Sequence, residues 1–134
     1  MLVKISRTVL IVGVLLLLLS VSFTPNTQAA PQNSIARMWE GRTTHAKADA
    51  YERYLRDNGA PFMTSQKGNL GMQILRRQTS DAVEFIIITY WDSRDSIKKV
   101  VGEDIERAWS LPRDKEFLIE PVTTVRHYQI AYSK

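Results

Sequence analysis

Two histidines are the candidates for proton transfer in this chain. His127 falls inside a predicted strand, residues 122–132, where an imidazole can act as a general base near neutral pH or bind a substrate hydroxyl. The alternative is a structural histidine that bonds to a backbone carbonyl or to a second subunit. His45 begins an exposed helix and is therefore expected at the surface. Because the two histidines are far apart and cysteine is absent, the sequence predicts no metal site.

Three tryptophans and two tyrosines are the candidates for lining a ligand pocket. Each tryptophan has a large apolar body and one N–H donor, so a group of them suits a flat aromatic ligand. Ordinary packing in the core or between subunits is the alternative. Trp91 is the first choice, since it ends a central strand beside a helix start, and we group it with His127 as a candidate catalytic residue. The predicted substrate-binding residues are Trp39, Tyr51, Tyr54, Trp91 and Trp109.

Glu84, an acidic residue in an apolar hairpin, is a further candidate acid or base. Apolar surroundings would raise its pKa. A cross-strand ion pair with Arg76 or Arg77 is the simpler interpretation, because the hairpin brings these basic side chains close to it.

These candidates depend on one strongly apolar strand, residues 84–91. Side chains alternate across a strand, so one face contains Phe85, Ile87, Thr89 and Trp91, and the other contains Ile86, Ile88 and Tyr90. A face that met water would carry polar residues, so both faces are predicted to be covered. Helices of the same chain can cover one face, and we expect a second copy of the chain to cover the other.

Hydrophobic periodicity, caps and turns define the remaining elements. Strands are predicted at 35–41, 70–79, 84–91 and 122–132, with helices at 45–57 and 93–102. Asn58-Gly59 before Pro61 predicts that the first helix stops there and that residues 60–68 form a loop. Helical spacing resumes at Ile105, Ala108 and Trp109, and a short helical piece is expected at 114–119.

The order strand, helix, strand, strand, helix, strand predicts an α+β fold. With right-handed crossovers, this βαββαβ order gives a ferredoxin-like, four-stranded antiparallel sheet with both helices on one face. The uncovered face would expose a larger apolar patch than monomers usually tolerate. We therefore expect a homodimer, in which two sheets pair face to face.

The first 29 residues have the layout of a secretory signal peptide. Lys4 and Arg7 precede an uncharged apolar run, residues 8–23, and small polar residues lead to a cleavage site after Ala29. An uncleaved anchor is the alternative, although 16 apolar residues fall short of the roughly 20 that span a bilayer. The sequence thus predicts a periplasmic or secreted protein with no stable membrane partner. The mature protein would consist of a short lead-in at 30–34 and one domain at 35–134. The absence of cysteine excludes disulfides.

Charge gives little support for nucleic-acid binding. The formal net charge is +4, and removal of Lys4 and Arg7 with the leader leaves 16 basic against 14 acidic residues, a charge of +2. The basic doublets at 76–77 and 98–99 lie near acidic residues, and no basic stripe alternates with aromatics.

Short motifs between residues 35 and 130 carry a family resemblance. They are Trp39-Glu40-Gly41, Gly68-Asn69-Leu70-Gly71, Glu84-Phe85, Trp91-Asp92-Ser93, Gly102-Glu103-Asp104, Pro112-Arg113-Asp114 and Val125-Arg126-His127-Tyr128. Together they resemble the antibiotic biosynthesis monooxygenase-type domain of the dimeric α+β barrel superfamily. A fold shared by many activities does not fix a function.

The resemblance implies two alternative functions on one scaffold. The first is binding of a small, largely apolar or aromatic molecule by a cofactor-independent monooxygenase, in which a deprotonated phenol or enol itself reacts with oxygen. The second is a non-catalytic periplasmic ligand-binding or stress-associated module. Haem-degrading members use a first-strand asparagine, a tryptophan at the end of the third strand and a second-helix histidine. Trp91 alone matches that set, so haem degradation is disfavoured.

Overall fold

A computed structural model describes Pro31 and residues 33–134. The predicted signal peptide lies outside the described residues, and so does part of the predicted lead-in. In the described part of the chain, no helix is long and apolar enough to cross a membrane.

The described residues form four strands and four α-helices, with a π-helical turn joining the first two helices. In order they are β1 (Ile35–Thr43), α1 (His45–Tyr54), the π turn (Leu55–Gly59), α2 (Ala60–Thr64), β2 (Asn69–Gln78), β3 (Val83–Trp91), α3 (Arg94–Val101), α4 (Asp114–Phe117) and β4 (Arg126–Gln129).

The sheet has the strand order β2-β3-β1-β4, and every neighbouring pair is antiparallel. This is the predicted ferredoxin-like α+β arrangement. The register places Arg37 of β1 opposite Thr89 of β3 on one side and His127 of β4 on the other. Residues opposite each other in a ladder share a face, so these three side chains lie on the same side of the sheet.

The start of α3 follows the prediction. Ser93 accepts a hydrogen bond from the backbone N–H of Ser96 and so caps the helix. Gly102 ends the helix with φ of 96°, a conformation that side chains disfavour and glycine adopts readily.

The predicted stop after Asp57 is wrong. Gly59 stays in the right-handed helical region, and the path continues through the π turn into α2. Pro61 falls in the first turn of α2, where a backbone N–H needs no helical partner, so proline does not interrupt the helix. Residues 60–64, predicted as loop, are therefore helical.

The predicted helical spacing around Ile105 and Trp109 is also wrong, and β4 is shorter than predicted. Residues 103–113 are irregular, because this segment pairs with the chain that leads into β4. Val125 donates its N–H to the carbonyl of Glu106, and Ala108 donates to that of Thr123. Residues 122–125 thus bond to this segment, and only Arg126–Gln129 joins the sheet.

Two apolar clusters fill the layer between the sheet and the helices. The larger contains Trp39, Tyr51, Leu55, Phe85 and Val125, and the smaller contains Trp91, Ile97 and Ile105. Both lie on the face of β3 that carries Phe85 and Trp91, which we call the covered face.

The opposite side, which we call the open face, carries Ile86, Ile88 and Tyr90 of β3. These side chains are half-buried, and Leu75 and Tyr128 beside them are 45% and 46% exposed. Ion pairs lie at the edges of the open face, between Arg126 and Glu40 and between Arg77 and Glu84. The second pair fits the simpler interpretation of Glu84.

Candidate functional site

A cavity lies between the covered face and the helical layer. Its volume is about 50 Å³, and the empty space including the open mouth is about 500 Å³. The sheet contributes Arg37, Trp39, Met72, Ile87 and Thr89 to its wall. The other wall consists of Tyr51, Leu55, Gly59, Met63, Trp109, Leu111 and Asp114. Apolar walls with a few polar groups are typical of small-molecule sites.

A wider depression of about 970 Å³ lies on the open face, beneath residues 120–126. It is larger than the cavity, but paired charges such as Arg77–Glu84 and Arg126–Glu40 line much of it. Such a surface suits a protein contact better than an apolar small molecule, so we take the enclosed cavity as the candidate site.

Arg37 places a buried positive charge in the cavity wall. The residue is 5% exposed, and its Nη2 donates to the carbonyl oxygen of Arg107 at 2.9 Å and to that of Ile105 at 3.5 Å. Its Nε is buried with no acceptor among the described residues. Burial lowers the pKa of Arg37 well below its ordinary value, to about 10, against a smaller opposing effect of Glu106.

Trp39 lies next to Arg37 in the wall and has an unpaired donor of its own. The residue is 6% exposed, and no described atom accepts a hydrogen bond from its Nε1. Gly41 leaves the space for the indole ring, because a Cβ there would lie 2.7 Å from Cζ3 of Trp39 and closer still to Cη2. The glycine of the Trp39-Glu40-Gly41 motif thus fixes how Trp39 packs.

Tyr51 and Asp114 form a hydrogen-bonded pair in the helical wall. The Tyr51 hydroxyl donates to Oδ1 of Asp114 at 3.2 Å, and the Leu111 backbone N–H donates to Oδ2 at 2.8 Å. Burial raises the pKa of the Asp114 carboxyl, and these two hydrogen bonds partly oppose the shift. Burial also raises the pKa of Tyr51, and the charge of Asp114 adds to that effect. Asp114 is therefore a better proton acceptor than an ordinary aspartate.

Three of the predicted pocket residues line the cavity: Trp39, Tyr51 and Trp109. Tyr54 does not. Its ring stacks on Tyr51 and Phe117, and its hydroxyl accepts a hydrogen bond from the backbone N–H of Arg113. Tyr54 thus supports the helical wall from behind.

Trp91 lies outside the cavity wall and is fully buried with Ile97 and Ile105. Its Nε1 donates to Oγ1 of Thr89 at 2.8 Å. Thr89 does line the cavity, so Trp91 orients one of the wall's hydroxyl groups. A catalytic role for Trp91 stays a prediction.

His127 also lies outside the wall, beside Arg37 on the covered face. Its side chain is 1% exposed, Nδ1 lies 3.1 Å from Oε1 of Glu106, and Nε2 has no partner among the described residues. Burial lowers the pKa of His127 and the positive charge of Arg37 adds to this, while Glu106 opposes it. The ring is therefore neutral at neutral pH. Its predicted catalytic role stays untested.

An aromatic pair flanks the cavity at Trp109, one of its lining residues. The ring of Trp109 stacks on that of Phe62 at 4.7 Å between centroids, and Phe62 is partly exposed. Met63 and Met72 line the space nearby, and methionine side chains adapt readily to a ligand.

Sequence reasoning missed Arg37 and Asp114 as site residues. The available signal was the position of Arg37, a charged residue on the same strand face as Trp39. Asp114 lies within the Pro112-Arg113-Asp114 motif, but nothing local indicates that its carboxyl is buried. Within residues 33–134, no three His, Asp or Glu side chains group as metal ligands.

Comparisons with known proteins support the fold and identify the family. A family model described as antibiotic biosynthesis monooxygenase matches residues 35–109. A solved structure of a candidate antibiotic biosynthesis monooxygenase from Nitrosomonas europaea is 17% identical, with a TM-score of 0.54 over 76% of this chain and 94% of that one. Another, from Bacillus cereus, is 16% identical over 78% and 96%, with a TM-score of 0.48. No curated protein matches the chain. Because the family model covers more than half of the sequence, the chain belongs to the antibiotic biosynthesis monooxygenase family.

Proposed function

We propose that the chain binds a small, largely apolar aromatic molecule in the enclosed cavity and oxidises it with molecular oxygen, without a bound cofactor. The observation that carries this proposal is a buried carboxyl of raised pKa, that of Asp114, in an otherwise mostly apolar and aromatic wall. A perturbed acid in such a cavity is a candidate general base. Family membership agrees with the reaction type.

In the proposed reaction, Asp114 accepts a proton from a phenol or enol in the cavity. Tyr51 keeps the carboxylate oriented through its hydroxyl, and the walls hold the ring in place. The resulting anion donates two electrons to oxygen, a carbon–oxygen bond forms at a carbon that carries hydrogen, and the peroxide takes the proton back from Asp114 to give a hydroperoxide. Loss of water, made from the hydroperoxide OH and the hydrogen of that carbon, then leaves a carbonyl group, so one oxygen molecule supplies the new carbonyl oxygen and one water.

Trp91 and His127 have supporting roles in this proposal. Trp91 orients the Thr89 hydroxyl, and His127 lies against Arg37 and Glu106. Because neither lines the cavity, we propose that each acts through a residue that does.

A homodimer and export complete the proposal. Exposed apolar side chains on the open face, Leu75 and Tyr128 among them, support pairing of two sheets. Native mass spectrometry of the exported protein would give the subunit count and the mature N-terminus. We expect a dimer that begins at Ala30. A monomer would remove the dimer from the proposal, and an intact leader would indicate an anchor.

A non-catalytic binding module is the second candidate. The small volume of the cavity, about 50 Å³, favours it, because so small a space leaves little room for an aromatic substrate and oxygen together. The same mass spectra would then show a retained small molecule.

Oxygen consumption with hydroxylated aromatic compounds as substrates distinguishes the monooxygenase from the binding module. We expect Asp114→Asn to abolish oxygen uptake because it removes the base, with the dimer intact, and Trp91→Phe and His127→Ala to reduce it. Binding without oxygen uptake would establish the module instead. Uptake that survives Asp114→Asn would refute the proposed base.

A further inference from the structure

We infer that residues 106–110, which we call the strap, are a movable part of the cavity wall, and that Glu106 and His127 hold the strap closed at neutral pH and release it as the pH falls. Trp109 is the strap residue that lines the cavity. Release of the strap therefore opens the cavity under acidic conditions. This control of access rests on the proposed function only for the choice of the cavity as the site.

The strap is fixed at both ends and lightly held between them. At one end, Ile105 is buried in the smaller apolar cluster. At the other end, the backbone N–H of Leu111 donates to Oδ2 of Asp114 at 2.8 Å. Residues 106, 107 and 110 between these ends are exposed. A segment with few buried apolar contacts opens at a low free-energy cost, so the strap can move while the rest of the fold stays intact.

Two backbone hydrogen bonds join the strap to the chain that leads into β4. The N–H of Val125 donates to the carbonyl of Glu106, and the N–H of Ala108 donates to the carbonyl of Thr123, each at 2.9 Å. Val125 is 5% exposed and belongs to the larger apolar cluster, so it stays with the sheet when the strap moves. Both bonds break when the strap opens, and the two N–H groups therefore report its position.

The side chain of Glu106 ties the strap to two other elements. Its Oε1 lies 3.1 Å from Nδ1 of His127 in β4 and 3.8 Å from Nη1 of Arg94 in α3. The Glu106 side chain is 59% exposed, whereas that of His127 is 1% exposed. Arg37 adds a third attachment, because its Nη2 donates to the carbonyl of Arg107 at 2.9 Å. A buried histidine thus holds an exposed segment in place.

Protonation of His127 is unfavourable while the strap is closed. A carboxylate only accepts hydrogen bonds, so Nδ1 donates to Glu106 and Nε2 of the neutral ring carries no hydrogen. Nε2 is buried, with no partner among the described residues. A second proton would place a positive charge and an unpaired N–H in this buried position. The charged groups that act on the ring are Arg37 of β1, Glu106 of the strap and Arg94 of α3.

The balance of these effects sets the direction of the pH response. Burial, the largest effect, lowers the pKa of His127, and the attraction of Glu106 only partly opposes it. Opening of the strap hydrates the ring, which then regains the ordinary histidine pKa of about 6.5. The closed strap is therefore favoured above about pH 6.5 and is lost as the pH falls below that value. Uptake of one proton changes the opening equilibrium by at most about tenfold per pH unit.

Hydrogen exchange followed by NMR tests this response in the intact protein between about pH 5 and about pH 8. After correction for intrinsic exchange rates, we expect the protection of the Ala108 and Val125 N–H groups to fall below about pH 6.5, by up to about tenfold per pH unit. The N–H of Asp92 donates to the carbonyl of Gly68, outside the strap, and its protection should stay constant. It serves as the control for global unfolding.

Two NMR signals link the exchange to the cavity and to the histidine. The indole resonance of Trp109, whose ring stacks on that of Phe62, should move over the same pH range as the strap opens. The imidazole signals of His127 in the unaltered protein should titrate with the same midpoint as the loss of protection.

The two histidines of the chain provide matched variants. His127→Gln keeps a side-chain donor for Glu106 but takes up no proton, so the protection of the strap should become independent of pH. His45→Gln makes the same substitution at a ring whose Nε2 lies 2.9 Å from the carbonyl of Thr79 in the hairpin turn, and it should keep the original pH dependence. Glu106→Gln weakens a charged hydrogen bond and should lower the protection at neutral pH about 3- to 10-fold.

Several results would overturn this role for His127. They are constant protection of the strap down to about pH 5, an unchanged pH dependence in His127→Gln, or a His127 titration whose midpoint differs from that of the protection loss. Equal loss of protection at Asp92 would show global unfolding instead of a local opening and would overturn it as well. The proposed function would stand in each case, because none of these measurements depends on turnover.

Discussion

Replacement of Arg37 by methionine is expected to change the free energy of unfolding by less than about 2 kcal/mol, although the residue is 5% exposed and its Nη2 donates to two carbonyls. Burial lowers its pKa to about 10, and the difference from the ordinary pKa of arginine corresponds to an unfavourable free energy of ~3 kcal/mol for the charged form. Loss of that penalty stabilises the variant.

The hydrogen bonds of Arg37, which the variant loses, oppose this gain in stability. The charged bond to the Arg107 carbonyl, at 2.9 Å, is worth about 1.5–3 kcal/mol, and the 3.5 Å contact to Ile105 adds little. The two effects nearly cancel. Methionine also keeps an apolar stem of similar length in the core, so the packing loss is small.

Urea denaturation at neutral pH measures the result, with Arg37→Lys as the matched variant. Lysine keeps the buried charge but replaces the forked guanidinium by one ammonium, so we expect it to be the less stable of the two. A loss above about 3 kcal/mol for Arg37→Met, or a lysine variant more stable than the methionine variant, would contradict the near cancellation of the two effects.

Three further predictions concern the surroundings of the cavity. Burial raises the pKa of Asp114, so the free energy of unfolding should fall as pH rises from the unfolded-state pKa of about 3.9 through the folded-state pKa. The variant Asp114→Asn should remove this part of the pH dependence of the urea midpoint. Because burial lowers the pKa of His127, stability should be lost as pH falls below about 6.5, and His127→Gln should flatten that part of the curve; an unchanged slope would contradict the neutral ring. Gly41→Ala should lower the free energy of unfolding by about 1–3 kcal/mol, since its Cβ would overlap the Trp39 ring. In the same denaturation assay, Gly59→Ala should change it by less than about 1 kcal/mol, because its backbone is helical and its Cβ would lie 3.1 Å from Leu111.

Local patterns were sufficient to predict β1, β2 and β3 and the order of the elements, but not the bounds of β4. Alternation in β3 predicted which of its side chains share a face: Phe85 and Trp91 are buried on one, while Ile86 and Tyr90 are half-buried on the other. The Ser93 cap was predicted from the sequence because a cap depends on residues close together in the chain.

Long-range contacts account for what sequence reasoning missed. Residues 105–109 have helical spacing, but their backbone groups bond to residues 123–125, a pairing that no local pattern reveals. Asp114 is buried because it meets Tyr51, which lies 63 positions away in the sequence. The continuation past Gly59 depends on a π turn, which proline and glycine signals do not predict.

Methionine-methyl NMR tests most directly whether the enclosed cavity is the ligand site. Met63 and Met72 line the cavity, whereas Met38 lies opposite Ile88 on the open face and serves as an internal control. With ¹³C-methyl-methionine protein and 4-nitrophenol as the ligand, we expect the resonances of Met63 and Met72 to shift with saturation while that of Met38 stays in place. Shifts confined to Met38, or none at saturating ligand, would contradict the cavity as the binding site.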